Sequence, residues 1–167
     1  MIGKQILHYK IKEKLGEGGM GIVYLAEDTK LKRQVAIKFL PSQLALNDDE
    51  RERFKIEAQA AAALNHSNIT QIYAIEESDD DIFIVMEYID GDELKTIIGA
   101  HRDTPLQLDQ IIDYATQIAT GLQAAHEKGI VHRDIKPANI MFFFYPYFYF
   151  FQSKFVITCS VIRGKNL

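Results

Sequence analysis

The sequence predicts an α+β fold: a five-stranded antiparallel sheet carrying one helix, followed by the first part of a helical region. Three observations lead there. Short runs of β-branched and aromatic residues recur through residues 9–40 and again through 69–89, separated by Gly and charged residues. Between these groups, one stretch changes to helical spacing. A longer amphipathic stretch then occupies residues 108–128.

The elements follow in order. Tyr9, Ile11 and Leu15 mark the first strand, "GIVYLAED" the second, and "QVAIKFL" the third, through Val35, Ile37, Phe39 and Leu40. After Pro41, Asn47, Asp48 and Asp49 offer a cap and a negative first turn, and Phe54, Ala58, Ala61 and Leu64 then repeat at helical intervals. "ITQIYAIEE" and "DIFIVMEYI" supply two more strands around the acidic turn at 78–81. Ile111, Ile112, Ala115, Ile118, Ala119 and Leu122 give the longer helix its apolar face, and Gly129 ends it.

With 167 residues the chain has the size of one domain, or of one small lobe joined to part of another. A formal net charge of -4 offers no support for a nucleic-acid or anionic-membrane partner. The single cysteine, Cys159, excludes an intramolecular disulfide and fits a reducing compartment. The N-terminus lacks the apolar core of a secretory signal, so a cytoplasmic location is expected. Composition breaks at Phe142, after which every residue through 151 except Pro146 is aromatic. A membrane span needs roughly 18–20 apolar residues. Pro146, Gln152, Ser153 and Lys154 interrupt this run early, so no span is expected.

Three motifs carry chemistry. "GEGGMG", residues 16–21, opens a strand rather than a helix, so it reads as a strand-turn-strand lid and not as a dinucleotide turn. Glycines allow backbone N–H groups to approach phosphate oxygens; the alternative is a hairpin with no ligand. "VAIK" then places Lys38 among apolar residues, where an ammonium is costly unless paired. Glu57, near the apolar face of the first helix, is its candidate partner, and two snorkelling surface charges are the alternative. "HRDIKPAN", residues 132–139, is the most specific string.

In this order the motifs resemble those of eukaryotic-type Ser/Thr protein kinases, and "GEGGMGIVYLAED" and "LNHSNI" look most like the bacterial receptor-kinase type. The resemblance covers residues 9–141. It implies a kinase small lobe over 1–88, a hinge, early large lobe and catalytic loop over 89–141, and an atypical tail over 142–167. It implies ATP beneath Gly16, Glu17, Gly18, Gly19, Met20, Gly21 and Ile22, with Leu15 and Val23 covering the nucleotide and Ala36 and Met141 enclosing the adenine. Met86 would be the gatekeeper, the backbones of Glu87 and Ile89 would meet the purine edge, and Asp92 or Glu93 the ribose. Lys38, paired with Glu57, would hold the phosphates. Asp134 would orient the substrate Ser/Thr hydroxyl and accept its proton, Lys136 would neutralise the transferred group, Asn139 would bind Mg²⁺, and His132 would pack structurally.

The sequence also departs from the family. Kinases place an Asp-Phe-Gly about a dozen residues or more after the catalytic-loop Asn, and residues 135–167 contain no Asp or Glu. The expectation is a truncated kinase, catalytically impaired, with a pseudokinase-like nucleotide- or protein-binding fragment as the alternative. The apolar face of 108–128 would stay open to a partner, partly covered by the aromatic tail.

Overall fold

The computed structural model describes residues 1–18, 21–41, 47–78, 81–100, 106–132, 134–144 and 153–157. The described residues fall into two compact units. One holds residues 1–63 and 71–88, the other 64–70 and 89–157. Residues 64–70, which chain order assigns to the small lobe, thus cluster with the later part of the chain.

The first unit is an antiparallel sheet. Its strands are β1 (Gln5–Ile6), β2 (Tyr9–Gly18), β3 (Gly21–Asp28), β4 (Arg33–Phe39), β5 (Ile72–Ser78) and β6 (Asp81–Glu87), in the order β1-β2-β3-β4-β6-β5. The five expected strands form, and the two-residue β1 adds an edge at Gln5↔Lys10 and Ile6↔Tyr9. Two residues give no periodicity to read, which is why composition missed it. One face carries Tyr9, Ile11, Tyr24, Ala26, Val35, Ile37, Phe39, Phe83 and Val85, all buried in one cluster. Its rings interlock, with Phe39 and Phe83 at 5.0 Å and Tyr24 meeting Phe39 edge-on at 5.8 Å. At the end of β3, buried Asp28 accepts hydrogen bonds from the N–H groups of Lys30 and Leu31, both 3.0 Å, closing the turn into β4.

Helix α1 spans Asp48–Ala62 and is capped as expected: Asn47 Oδ1 accepts from the Glu50 N–H at 3.2 Å. Phe54, Ala58 and Ala61 are buried. Leu64 corrects the expected pattern. The helix ends before it, and Leu64 packs with Ile69 and Ala125 in the second unit. There the His66 ring accepts from the Asn68 N–H at 3.1 Å and its carbonyl from the Ile69 N–H at 3.0 Å, so the chain turns instead of continuing the helix.

The second unit contains β7 (Asp92–Glu93), α2 (Leu94–Ala100), α3 (Leu108–Glu127), a 3-10 turn (Pro137–Asn139), β8 (Ile140–Phe144) and β9 (Ser153–Ile157). The expected long helix is present and ends at Gly129, whose φ of +72° suits glycine. Helix α2, missed in the sequence, has no buried residue, and its seven residues are too few for the Leu94, Ile97 and Ile98 spacing to stand out.

The start of the aromatic tail is part of a strand. Phe142–Phe144 extends β8, which pairs β9 from Ile140↔Ile157 to Phe144↔Ser153, while residues 145–152 and 158–167 lie outside the described residues. Phenylalanine is a good strand former, so the composition break leaves the strand intact. Strand β9 runs beside α3, and Phe142 meets the Tyr114 ring at 6.0 Å. The other end of α3 stays open, with Leu108, Ile111 and Ile112 at 72%, 47% and 57% exposure. Among the described residues, no helix is long and apolar enough to cross a membrane.

Candidate active site

Strand register decides which side chains share a face, because directly opposed residues point the same way and neighbours alternate. Val23 lies opposite Lys38, Leu25 opposite Ala36, and Ala36 opposite Met86. Val23, Ala36, Lys38 and Met86 therefore stand together on the sheet face away from the aromatic core. This is the grouping the motifs implied. Ile22 is separated from it: its side chain packs against the core cluster on the other face, so only its backbone could serve a ligand. Lys38 is 6% exposed on β4 and Glu57 half-buried on α1.

The glycines of the loop divide by physical role. Gly21 opens β3 at φ +112°, and a Cβ there would lie 1.9 Å from the Phe39 carbonyl oxygen. Its glycine is required by strand packing alone. Gly16 has negative φ and open space around its Cβ position. No neighbour would oppose a side chain there, in contrast to Gly21. Leu15 sits in a β2 bulge between Lys14 and Gly16 and is 42% exposed. Lys14 pairs with Glu17. Gly18 pairs with Gly21 in the ladder. Gly19 and Met20 lie outside the described residues.

At the end of β6, the Glu87 N–H donates to the Gln71 carbonyl at 2.8 Å and its carboxylate accepts from the Gln71 N–H at 3.2 Å. Any bond from Glu87 to a purine edge would thus use its carbonyl. Ile89 is buried and begins the second unit's main segment. Asp92 and Glu93 are exposed on β7, opposite Phe142 and Met141. Met141 is half-buried between Glu93 and Val156. Gly91, missed in the sequence, lets these strands meet: a Cβ there would lie 2.1 Å from the Phe142 carbonyl oxygen. A lone glycine beside an acidic strand start was its only signal.

The catalytic-loop residues converge locally. Asn139 Nδ2 donates to the Asp134 carbonyl at 2.8 Å and to Asp134 Oδ2 at 2.9 Å, while Lys136 Nζ lies 2.9 Å from the same Oδ2. Among the described residues no hydrogen bond or ion pair falls on Asp134 Oδ1. His132 is 8% exposed, and the Asp134 N–H donates to its carbonyl at 2.8 Å and to Nδ1 at 3.3 Å. His132 thus ties down the backbone at Asp134. Arg133 lies outside the described residues, as does His101.

Hydrogen bonds from Lys136 and then Asn139 hold the Asp134 carboxyl below the ordinary carboxylate range. The folded form therefore favours the ionised group. Its contribution to stability is complete above the unfolded carboxylate pKa and is lost as pH falls through the lowered folded value. In Lys136→Met, carboxyl NMR should show Asp134 titrating at higher pH than in the wild type. An unchanged titration would mean that Lys136 does not act on Asp134.

The residues of this loop are too few to hold a resident metal by themselves. Asp134 presents acceptors to Asn139, so the amide nitrogen of Asn139 is the atom bound there. Magnesium demands near-octahedral oxygen coordination, with one or two carboxylates alongside phosphates. Among the described residues no group of three His, Cys, Asp or Glu side chains could hold a metal ion. Residues 135–167 add no carboxylate side chain.

Comparison with known proteins agrees with this geometry. The protein kinase domain family matches residues 9–144, reaching the end of β8. A probable serine/threonine-protein kinase of Clostridium acetobutylicum is 46% identical over 142 residues, covering 84% of this chain and 21% of that protein. Serine/threonine-protein kinase PrkC of Bacillus subtilis is also 46% identical, over 84% of this chain and 22% of its own. The chain thus spans about a fifth of the length of these relatives. The crystal structure of the Mycobacterium tuberculosis PknI kinase domain superposes with a TM-score of 0.80 at 27% identity, over 98% of this chain and 64% of that one. The fold, the loop geometry and these likenesses together establish that the chain belongs to the protein kinase domain family, among the serine/threonine kinases.

Proposed function

We propose that this chain carries the ATP-handling and hydroxyl-handling residues of a protein serine/threonine kinase, and that the 167-residue polypeptide is impaired in phosphoryl transfer. The observation that carries the nucleotide assignment is the single face bearing Val23, Ala36, Lys38 and Met86 beside a glycine loop. Val23 and Ala36 supply apolar cover, Met86 bounds the same patch, and Lys38, paired with Glu57, offers its ammonium to phosphate oxygens. Leu15 extends the cover, and Gly16, Gly18 and their neighbours present backbone N–H groups.

ATP, when bound, supplies the phosphoryl group. Asp134 orients a Ser or Thr hydroxyl through Oδ1 and accepts its proton, for which a carboxylate within hydrogen-bond reach is required. Lys136 stands beside it to neutralise charge, and a lysine there favours Ser/Thr over Tyr substrates. Asn139 would offer an oxygen to magnesium but does not make a metal site on its own, and this supports the proposed impairment.

Thermal melting with ATP tests the nucleotide assignment. Stabilisation should follow RT ln(1 + [L]/Kd), about 2.7 kcal/mol at a hundredfold excess over Kd. Lys38→Met should lose most of it. No shift at millimolar ATP, with Lys38→Met indistinguishable from wild type, would overturn the assignment.

A further inference from the structure

Helix α1 lies against β5 and buries Phe54, Ala58 and Ala61, two of which are alanine. Such small contacts set the distance between helix and sheet but resist rotation about the helix axis weakly. A second constraint is therefore needed to fix which way the flanks of α1 face, and one is present. Arg51 Nη2 lies 2.7 Å from Glu77 Oε2, and Lys55 Nζ 2.6 Å from Glu77 Oε1. One carboxylate on β5 is forked between two cations a helical turn apart.

Helical geometry gives this fork a consequence. At 3.6 residues per turn, Arg51 and Lys55 lie about 60° and 100° to one side of Phe54, and Glu57 about 60° to the other. The sheet register supplies the matching half. Glu77 pairs with Ile82, Ile75 with Ile84, and Ile84 with Lys38, so Glu77 and Lys38 project from the same sheet face, two strands apart. Two strand spacings are roughly 10 Å, which the ~10–12 Å width of a helix spans. Fixing the Arg51 and Lys55 flank over β5 directs the Glu57 flank toward β4, where Lys38 stands.

We propose that Glu77 is a positioning residue that locks α1 against rolling and so holds Glu57 against Lys38. This rests on the nucleotide assignment above only for its functional meaning; the geometric claim stands apart from it. The three side chains are partly exposed, so the fork contributes little to global stability. Its effect is on orientation. The Glu77 carboxyl is held below the ordinary range, chiefly by Lys55 and then by Arg51, so the fork stays charged at neutral pH.

A double-mutant cycle in the 167-residue polypeptide tests this without nucleotide. Chemical denaturation of wild type, Lys38→Met, Glu57→Gln and the double variant yields the coupling between Lys38 and Glu57. The cycle is repeated with Glu77→Gln and, independently, with Arg51→Gln/Lys55→Gln as background. The expected result is a coupling in the wild type that is lost in both backgrounds. A coupling unchanged by Glu77→Gln would overturn the proposal by showing a merely structural ion pair, and absence of coupling in the wild type would overturn it as well. ATP melting separates the two claims. ATP stabilisation that depends on Lys38, together with unchanged coupling, defeats the positioning role alone; lost coupling without ATP stabilisation defeats the nucleotide assignment alone.

Discussion

Gly21→Ala should unfold the first unit's sheet cooperatively at a much lower denaturant concentration than wild type. The added Cβ would fall 1.9 Å from the Phe39 carbonyl oxygen, and the residue would be forced to keep a φ of +112° that L side chains rarely adopt. Neither can relax cheaply, because Phe39 is 4% exposed and interlocked with Tyr24 and Phe83. Backbone strain of this kind costs about 1–3 kcal/mol before any overlap is counted, a large share of a marginal stability. Gly16→Ala provides the control. With open space and ordinary φ it should leave denaturation within about 0.5 kcal/mol while weakening ATP stabilisation. Equal destabilisation by the two substitutions would contradict the division between a structural and a ligand-facing glycine.

The second large effect concerns catalysis. With MgATP and a generic Ser/Thr peptide, the 167-residue polypeptide should transfer phosphate about 10²–10³-fold more slowly than a kinase domain such as that of PknI, the usual loss on removing one preorganised electrostatic group. Asp134 is ionised and oriented, but residues 135–167 bring no second carboxylate to the phosphates. A rate comparable to that domain, abolished by Asp134→Asn, would show that a carboxylate arrives from elsewhere.

Much of this was legible because the strands alternate cleanly. Val35, Ile37 and Phe39 on one side and Ala36 and Lys38 on the other follow a strand's period of two, so Lys38 falls on the face away from the aromatic core. Asn47 announced its helix through capping chemistry. What escaped was too short or too local for periodicity to reveal: the two-residue β1, the seven-residue α2, and the close approaches at Gly21 and Gly91. Leu64 misled because its spacing continued the helix while the turn built on His66 redirected it to Ala125. The aromatic run gave no sign that Phe142–Phe144 would continue β8, because its pairing with β9 is a long-range contact. In the catalytic loop the residue types were evident, but the convergence of Lys136 and Asn139 on one oxygen of Asp134 is a three-dimensional fact.

The central claim is that Lys38, buried on the sheet face shared with Val23, Ala36 and Met86, meets the phosphates of bound ATP. An acyl phosphate of ATP, which transfers its acyl group to an amine beside the phosphates, tests this most directly. Lys38 is 6% exposed, so undirected chemistry should favour surface lysines such as Lys95 over it. Mass spectrometry after labelling should find Lys38 acylated, with excess ATP protecting it. Labelling that spreads over exposed lysines, spares Lys38 and ignores added ATP would contradict the account.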